Sequence, residues 1–343
     1  MKQKKSESGH AARLTAMLAV AVSVAMPATC SYAADAPARI SKADDYPHKS
    51  LRVIDPFAAA GASDVIARLV GQKFTERFGQ AFVIDNRPGA GGNTAAKMAA
   101  EATPDGYTLM NVVVLSLAPS VSLYSQPGFD AMKDFAYITV LAGGSYVIVS
   151  HPTFPAKTIP ELVVLAKSQP GKIGYGSSGV GGPVHIAAEL LKSRAGINLL
   201  HVPYKGAAPI MTAVAGNEVP IGFPSVAGAL PLIKAGRVAT IAVTSAQRSK
   251  ILPNVPTIAE SGYPGYDITP WYGIAAPAGT PNAIVRGLSA EIGKIMQLPE
   301  MQAALAAQGL DAASSTPERM RDIVREAIAT CAKIIKDVGI KID

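Results

Sequence analysis

The chain has 343 residues, of which 49% are hydrophobic and 17% are charged, and its formal net charge at pH 7 is +7. The basic residues form no stripe interleaved with aromatic side chains, so this charge does not indicate a nucleic-acid-binding protein. A single hydrophobic core is near its size limit at this length, and we therefore expect two domains.

The first 33 residues have the pattern of a secretory signal peptide. Basic side chains precede an apolar run at 14–26, and the cleavage-like triplet Ser31-Tyr32-Ala33 follows it. The run is shorter than the roughly 20 apolar residues that span a bilayer, so we expect cleavage after Ala33 and a periplasmic mature protein. Lipidation of Cys30 is the less favoured alternative, because the residues before it are not the usual approach to a lipid-modified cysteine. Cleavage leaves Cys331 as the only cysteine, which excludes an intramolecular disulfide.

Strand-like apolar runs alternate with helical patterns along the rest of the chain, which predicts an α/β fold with largely parallel sheets. Glycine and proline mark the ends of these segments. The predicted strands are 51–54, 81–84, 107–115, 137–141, 146–149, 172–176, 198–202, 219–223, 238–243 and 272–275. The predicted helices are 64–78, 93–101, 160–168, 183–194, 207–215, 226–235, 281–296, 299–307 and 317–337.

Two passages have the composition of crossings between domains. The apolar run 137–150 is interrupted at Gly143-Gly144, where the backbone can flex without steric cost, and the passage 267–276 contains Trp271. This predicts a discontinuous first domain, a hinge and a cleft between two lobes. The predicted domains are 46–144 plus 270–343 and 145–269.

Residues 51–78, which we call the first cradle, form a strand, a loop of tiny residues and an amphipathic helix that starts near Asp64. Small side chains let a ligand approach the backbone of such a loop. The first turn of the helix presents unpaired N–H groups and the positive end of its dipole. The pattern is typical of an anion-binding site.

Residues 174–194 form a similar unit, the second cradle, in which a Gly- and Ser-rich loop joins a strand to a helix that begins near Pro183. A hydrolase nucleophile elbow would need glycine at Val180, so the serines are interpreted as ligand donors or helix caps. His185 lies in the first helical turn and could reach the cleft, although a packing or capping role is favoured over a catalytic one.

The loop 89–93 follows a strand and opens a helix, but Thr94 breaks the dinucleotide-binding pattern. The four histidines beyond the signal peptide have no metal-ligand spacing. We therefore predict no cofactor and no metal. Tyr204 has two open interpretations, a turn residue beside a solvated lysine or an aromatic wall of the cleft.

Several ordered motifs between Tyr46 and the C-terminus resemble the Bug (TctC-like) proteins, the periplasmic solute-binding receptors of tripartite tricarboxylate transporters. These motifs are Pro56-Phe57 to Arg68, Asn86 to Asn93, Pro104 to Leu109, Lys133-Asp134-Phe135, His201 to Gly206, Ala242 to Ser245, and Ala276 to Pro281.

The resemblance implies a two-lobed periplasmic binding protein of the Venus-flytrap type, a monomer without catalysis or cofactor. It would close on a small organic acid or derivative and deliver it to the permease subunits of a tripartite transporter, with a sensor kinase as a further partner. With Tyr204, the matching loops give the candidate ligand-binding residues Phe57, Ala59, Ala60, Gly61, Ser63, Val114, Leu115, Ser116, Ser177, Ser178, Gly181, Gly182, His185, Pro224 and Ser225.

The chain departs from the family pattern where ligand choice is set. Alanines at 58–60 replace prolines and a glycine, and apolar residues at 113–115 replace small or hydroxylated ones. Residues 182–184 replace hydroxyl side chains, and Pro224 stands where an aspartate is common, which argues against a ligand with an ammonium group. We expect an apolar pocket that favours an uncharged, aromatic or long-chain acid over citrate or aspartate.

The alternative function is a secreted hydrolase or isomerase that uses Ser178 or His185 in the same cleft. An α/β fold does not separate it from a receptor. A catalytic serine needs a partner base and an oxyanion site, and the sequence shows no such set. We therefore expect a receptor and not an enzyme.

Overall fold

The computed structural model describes residues 46–339, apart from the side chain of Val338. The predictions of a signal peptide and on Cys30 lie outside these described residues. The strands are β1 Leu51–Asp55, β2 Phe82–Asn86, β3 Thr108–Val113, β4 Phe135–Gly143, β5 Val147–Ser150, β6 Gly174–Ser177, β7 Leu200–Pro203, β8 Ile221–Gly222, β9 Ala239–Val243, β10 Trp271–Pro277 and β11 Asp311–Ala312. The helices are α1 Ala62–Phe78, α2 Asn93–Ala100, α3 Val114–Leu123, α4 Ile159–Ser168, α5 Pro183–Ala195, α6 Ala207–Ala215, α7 Val226–Lys234, α8 Asn282–Met296, α9 Pro299–Ala306 and α10 Pro317–Val338. None of these helices is both long and apolar enough to cross a membrane.

The α/β class and most of the predicted elements are confirmed to within a few residues. The strand predicted over 107–115 is wrong at its end, because β3 stops at Val113 and α3 begins at Val114. A buried apolar run fits a strand and a helix alike, and Pro119 inside α3 obscures the helical pattern. The two-residue β11 was not predicted, since it is too short to show periodicity.

The strands form two sheets, which define two lobes. The first-lobe sheet has the order β11-β4-β10-β3-β1-β2, and the second-lobe sheet has the order β7-β6-β8-β5-β9. β1 pairs in parallel with β2 and β3, as β6 does with β7 and β8. The prediction of largely parallel sheets is wrong, because β10 runs antiparallel to β3 and β4, and β5 runs antiparallel to β8 and β9. Both strands directly follow a crossing between the sheets, and buried strands show the same apolar pattern in either direction.

Each lobe has its own hydrophobic core. Ile66 of α1 and Ile138 of β4 belong to the core of the first lobe, and Tyr175 and Phe223 belong to that of the second. Burial of one large apolar side chain contributes roughly 1.5–3 kcal/mol to stability, so each core stabilises the fold of its own lobe. α10 packs on α3 and also reaches α5 of the second lobe. Cys331 lies buried at that junction, and burial raises the pKa of its thiol to about 12.

The chain crosses between the lobes after Gly143 and again before Trp271. The two crossings run side by side, since the N–H of Gly144 donates to the carbonyl of Pro270 at 3.1 Å. Trp271 is the only tryptophan of the sequence; it lies against Gly143 and is 38% exposed. The domain boundaries given above stay a prediction.

Candidate functional site

The first cradle folds around the carboxylate of Asp55, the last residue of β1. This side chain is fully buried, and its Oδ1 accepts hydrogen bonds from the N–H of Phe57 at 2.9 Å and the hydroxyl of Ser63 at 3.1 Å. The side-chain nitrogen of Asn111 on β3 donates to Oδ2 at 2.6 Å. Burial raises the pKa of Asp55 from 3.8 to about 6, although the three hydrogen bonds favour the ionised form. One buried acid therefore fixes both ends of the loop.

A second acid, Asp64, fixes the middle of the same loop. Its carboxylate accepts the N–H of Ala60 at 3.0 Å and two hydrogen bonds from Arg68 at 2.8 and 2.9 Å. Burial opposes ionisation of Asp64, but the hydrogen bonds from Arg68, Ala60 and Asn86 outweigh burial and hold its pKa below the ordinary value. Ala60 itself has φ of +65°, in the left-handed region that favours glycine.

The second cradle is held by two neutral histidines. The Oγ of Ser177 lies 2.5 Å from Nε2 of His201 and accepts the N–H of Gly179 at 3.1 Å. Nδ1 of His185 accepts the N–H of Gly181 at 3.1 Å, and the His185 and His201 rings stack with centroids 4.2 Å apart. Burial, and next the neighbouring His185, lower the pKa of His201 from 6.5 to about 3, and burial also lowers the pKa of His185. Both rings are therefore uncharged at neutral pH.

The two lobes face each other across the cleft and touch. The N–H of Ala58 donates to the carbonyl of Lys205 at 3.0 Å, and the N–H of Ala62 donates to Oγ of Ser225 at 3.3 Å. A Cβ added to Gly91 of the first lobe would lie 2.6 Å from the carbonyl oxygen of Val180 in the second. The structure is therefore a closed state of the cleft.

A small cavity remains between the cradles, and the centre of a water molecule can reach about 40 Å³ of it. None of the described residues that line it carries a cationic side chain. The hydroxyl oxygen of Ser178 in this lining is buried and makes no hydrogen bond with any described residue. The lining consists of Phe57, Gly61, Ala62, Ser63, Val113, Tyr146, Ser178, Pro183, Val184, Gly206, Ala207, Ile210, Phe223, Pro224, Ser225 and Tyr272.

Six of the sixteen predicted ligand-binding residues line the cavity, and ten do not. Tyr204 is partly buried and packs on the second-lobe core, and Ser116 donates to the carbonyl of Val113 at 2.8 Å. Val114 and Leu115 line a separate groove beside Trp271. Those in the cavity lining are Phe57, Gly61, Ser63, Ser178, Pro224 and Ser225. Those in the cradles but outside the lining are Ala59, Ala60, Ser177, Gly181, Gly182 and His185. Their assignment to ligand binding stays a prediction.

Sequence reasoning missed several cavity residues and the acid beneath them. Tyr272 is the register partner of Val113, which the family comparison had already marked, and Tyr146 follows the first crossing. Only the fold brings Tyr146 and Tyr272 to the cleft, so the sequence contains no local signal for these two tyrosines. Asp55 did have a signal, an acidic residue at the end of an apolar strand and directly before Pro56.

The geometry does not support the hydrolase alternative. Ser178 has no partner base, and Nδ1 of His185 is occupied by a backbone N–H. The serine–histidine contact that does form, between Ser177 and His201, braces the loop at Gly179. In residues 46–339 no group of three or more histidine, cysteine or acidic side chains could hold a metal ion.

Comparison with known proteins gives the same result. The UPF0065 protein in the tcbD-tcbE intergenic region of Pseudomonas sp. (strain P51) is 34% identical over 298 residues, which cover 87% of this chain and 88% of that protein. Protein BugT of Bordetella pertussis is 30% identical over 88% of this chain and 92% of its own length.

Solved structures match with similar coverage. Rpa4515 of R. palustris with adipate has a TM-score of 0.84 and 33% identity, and the match covers 87% of this chain and 99% of that one. MatC of Rhodopseudomonas palustris with bound malate has a TM-score of 0.80 and 27% identity, over 84% of this chain and all of that one.

Two sheets joined by paired crossings, with a cleft between facing cradles, define the class of two-lobed periplasmic solute-binding proteins. Residues 66–340 match the tripartite tricarboxylate transporter family receptor, and the chain belongs to that family. The resemblance to the Bug receptors is confirmed, as is the expectation of a receptor rather than an enzyme.

Proposed function

We propose that this receptor captures a carboxylic acid with an uncharged aromatic or aliphatic body and delivers it to the permease of a tripartite transporter. The observation that carries the proposal is the lining of the cleft, which combines aromatic and aliphatic side chains with hydroxyl groups and has no cation among the described residues. Adipate and malate in the neighbouring structures support a carboxylate as the polar group.

The second cradle offers the better place for that carboxylate. Ser178 lines the cavity, its buried hydroxyl has no hydrogen-bond partner among the described residues, and the lining continues to Pro183 and Val184 in the first turn of α5. A helix N-terminus favours an anion, and each charge-assisted hydrogen bond contributes about 1.5–3 kcal/mol. The apolar body of the solute would then lie against Phe57, Phe223 and their neighbours.

An organic acid of this class is larger than the closed cavity, so the lobes must open to admit it. A water molecule needs roughly 10–15 Å³ of such a cavity, so only a few waters fit in the 40 Å³ of the closed state. Opening would break the contacts of Ala58 and Ala62 with the second lobe and would bend the chain at the paired crossings. Trp271 lies at these crossings, and its fluorescence should therefore change when a solute binds.

A thermal-shift panel tests the proposal. Aliphatic and aromatic monocarboxylates are compared with citrate and aspartate, and binding is checked by Trp271 emission. A ligand at 100 times its dissociation constant adds about 2.7 kcal/mol to the stability, which raises the melting temperature by several degrees. Stabilisation by citrate or aspartate, and by none of the apolar acids, would refute the proposal.

Two variants distinguish the loss of a contact with the solute from a general effect of a serine-to-alanine change. Ser178→Ala removes the free hydroxyl and should weaken binding about tenfold, the equivalent of one hydrogen bond to a charged group. Ser168→Ala on the exposed end of α4 is the same chemical change on the same lobe, away from the cleft, and should leave affinity unaltered. Loss of a measurable turnover in Ser178→Ala would instead favour an enzyme.

Uptake of the acid by cells tests its delivery to the permease. Cells that express the transporter should take up the bound acid only when this receptor is present. Wild-type protein should restore uptake to a deletion strain, whereas a variant that binds no solute should not. Uptake at the same rate without the receptor would contradict the delivery step.

A further inference from the structure

Asp55 lies directly behind the wall of the cavity. Its Oδ1 is 2.9 Å from the nitrogen of Phe57 and 3.1 Å from the hydroxyl of Ser63, and both residues line the cavity. The carboxylate has no exposed surface. The first lobe therefore places an acidic group one residue beneath the surface that a solute would touch.

The chain already uses several hydrogen-bond donors of the first cradle. The N–H of Phe57 and the hydroxyl of Ser63 bind Asp55, the N–H of Ala60 binds Asp64, and the N–H of Ala62 binds Ser225. In the second cradle, by contrast, the Ser178 hydroxyl is without a partner among the described residues. The two ends of the cleft therefore offer a solute different chemistry.

The charges around Asp55 do not neutralise it. Asp64 on α1 has the same sign. The guanidinium of Arg68 is attracted by Asp55, but it donates its hydrogen bonds to Asp64 and Asn86 and forms its ion pair with Asp64. On α2, which packs against β1, the one charged side chain is Lys97, and it pairs with Glu101.

The remaining strands bring only neutral groups to this carboxylate. β3 contributes Asn111, and β10 contributes Tyr272, whose pKa is raised first by burial and further by Asp55. β2 contributes Asn86, the register partner of Asp55. A second anion beside a buried carboxylate that has no ion pair with a described residue is strongly disfavoured.

We propose that Asp55 is a specificity-determining residue that rejects a carboxylate at the first-lobe end of the cleft, so that the receptor prefers a monocarboxylate to a dicarboxylate of the same length. This inference rests on the proposed function and names the residue that limits the solute class. A dicarboxylate binds only when Asp55 is protonated, and the affinity for it is reduced by the protonated fraction.

The pH dependence follows from that condition. With a pKa of about 6, Asp55 is protonated to about 1% at pH 8 and to about a quarter at pH 6.5. The affinity of the wild type for a dicarboxylate should therefore rise by about twentyfold between pH 8 and pH 6.5. The affinity for a monocarboxylate should stay nearly constant over this range, because both probe acids remain ionised.

The experiment is calorimetric titration of the full receptor with two pairs of equal length, hexanoate with adipate and 4-methylbenzoate with terephthalate. At pH 8 the wild type should prefer the monocarboxylate of at least one pair by about tenfold or more. Asp55→Asn should reduce that preference at least about fivefold. Asp85→Asn makes the same change at the neighbouring strand β2, where Asp85 pairs with Arg52 and Arg87, and should leave the preference unaltered.

Each outcome is decisive. An unchanged preference in Asp55→Asn, or a dicarboxylate affinity of the wild type that does not depend on pH, overturns the inference while monocarboxylate binding still supports the proposed function. The wild-type pH series gives this answer even if Asp55→Asn does not fold. Binding of dicarboxylates alone at pH 8 overturns the inference, and binding of none of the four acids overturns the inference together with the proposed function.

Discussion

The two cradles share one strand–loop–helix design but are held by buried groups of opposite character. In the first cradle, the carboxylates of Asp55 and Asp64 accept the N–H groups of Phe57 and Ala60 in the loop. In the second, neutral His185 accepts the N–H of Gly181, and Ser177, which contacts His201, accepts the N–H of Gly179. The comparison teaches that a loop of small residues does not by itself define an anion site, since internal acceptors can occupy its donors.

The two supports should respond to acid in opposite directions. A buried carboxyl with a raised pKa binds its proton more tightly in the folded state, so acid stabilises it. A buried imidazole with a lowered pKa resists protonation in the folded state, so acid destabilises it. Substituting one of these titrating side chains at a time therefore distinguishes the contribution of each cradle to the pH dependence of stability.

The largest expected effect concerns Asp55. Its pKa rises from 3.8 in the unfolded chain to about 6, so its contribution is fully present below pH 4 and is lost as the pH rises through 6. Over that interval the wild type should lose about 3 kcal/mol relative to Asp55→Asn. Urea unfolding of both proteins between pH 3 and pH 7 measures the difference. Parallel pH profiles would show that Asp55 does not titrate in this range.

The next effect tests whether the two lobes must meet at Gly91 for a solute to bind. In Gly91→Ala the new Cβ would lie 2.6 Å from the carbonyl oxygen of Val180 and 2.8 Å from the nitrogen of Gly182, which should hinder closure. We expect solute affinity to fall about tenfold to hundredfold, or roughly 1.4–2.7 kcal/mol.

Gly79→Ala is the matched control for this variant. Gly79 has φ of +69°, close to the +64° of Gly91, but a Cβ there meets nothing within 4 Å. Both variants should lose roughly 1–2 kcal/mol of stability from backbone strain, and only Gly91→Ala should lose affinity. Equal affinities would mean that the solute-bound state leaves the two loops apart.

A smaller effect is expected at His201. Its pKa falls from 6.5 in the unfolded chain to about 3, so its contribution is present above pH 6.5 and is lost as the pH falls towards 3. Between pH 6.5 and pH 5 the wild type should lose about 1 kcal/mol relative to His201→Gln, after allowance for partial solvent screening. Chemical unfolding at these two pH values tests this, with His151→Gln as a control for loss of an imidazole outside the cradles. Acid therefore lowers the folding stability through His201, whereas it raises the folding stability through Asp55.

The sequence was sufficient to predict features that depend on local order. The alternation of strands and helices, the two strand–loop–helix units and the crossing at Gly143 all come from patterns within single segments of the chain. The two-lobed architecture was predicted from chain length and the two crossing passages, and the resemblance to the Bug receptors supported it independently, because the order and spacing of the motifs from Pro56 to Pro281 match that family.

Features that depend on pairing between distant strands could not be predicted in this way. Asn111 reaches Asp55 across 56 residues because β3 lies beside β1. Tyr272 reaches the cavity because β10 enters the first sheet antiparallel, a direction that its apolar sequence does not encode. Val114 opens a helix although its apolar neighbours fit a strand equally well.

The smallest expected effect lies at Ala60, where the sequence indicated a difference and the structure gives its physical form. With φ of +65°, the methyl group costs roughly 1–2 kcal/mol, whereas glycine costs roughly 0.5–1 kcal/mol of extra chain entropy. Ala60→Gly should therefore stabilise the protein by about 0.5 kcal/mol, measured by urea unfolding. Ala59→Gly is the adjacent control and should destabilise the protein by a similar amount, since Ala59 is not among the described residues with positive φ. If both glycines destabilise the protein equally, the loop of the first cradle is not strained, and the acid that supports it would be its main difference from the second.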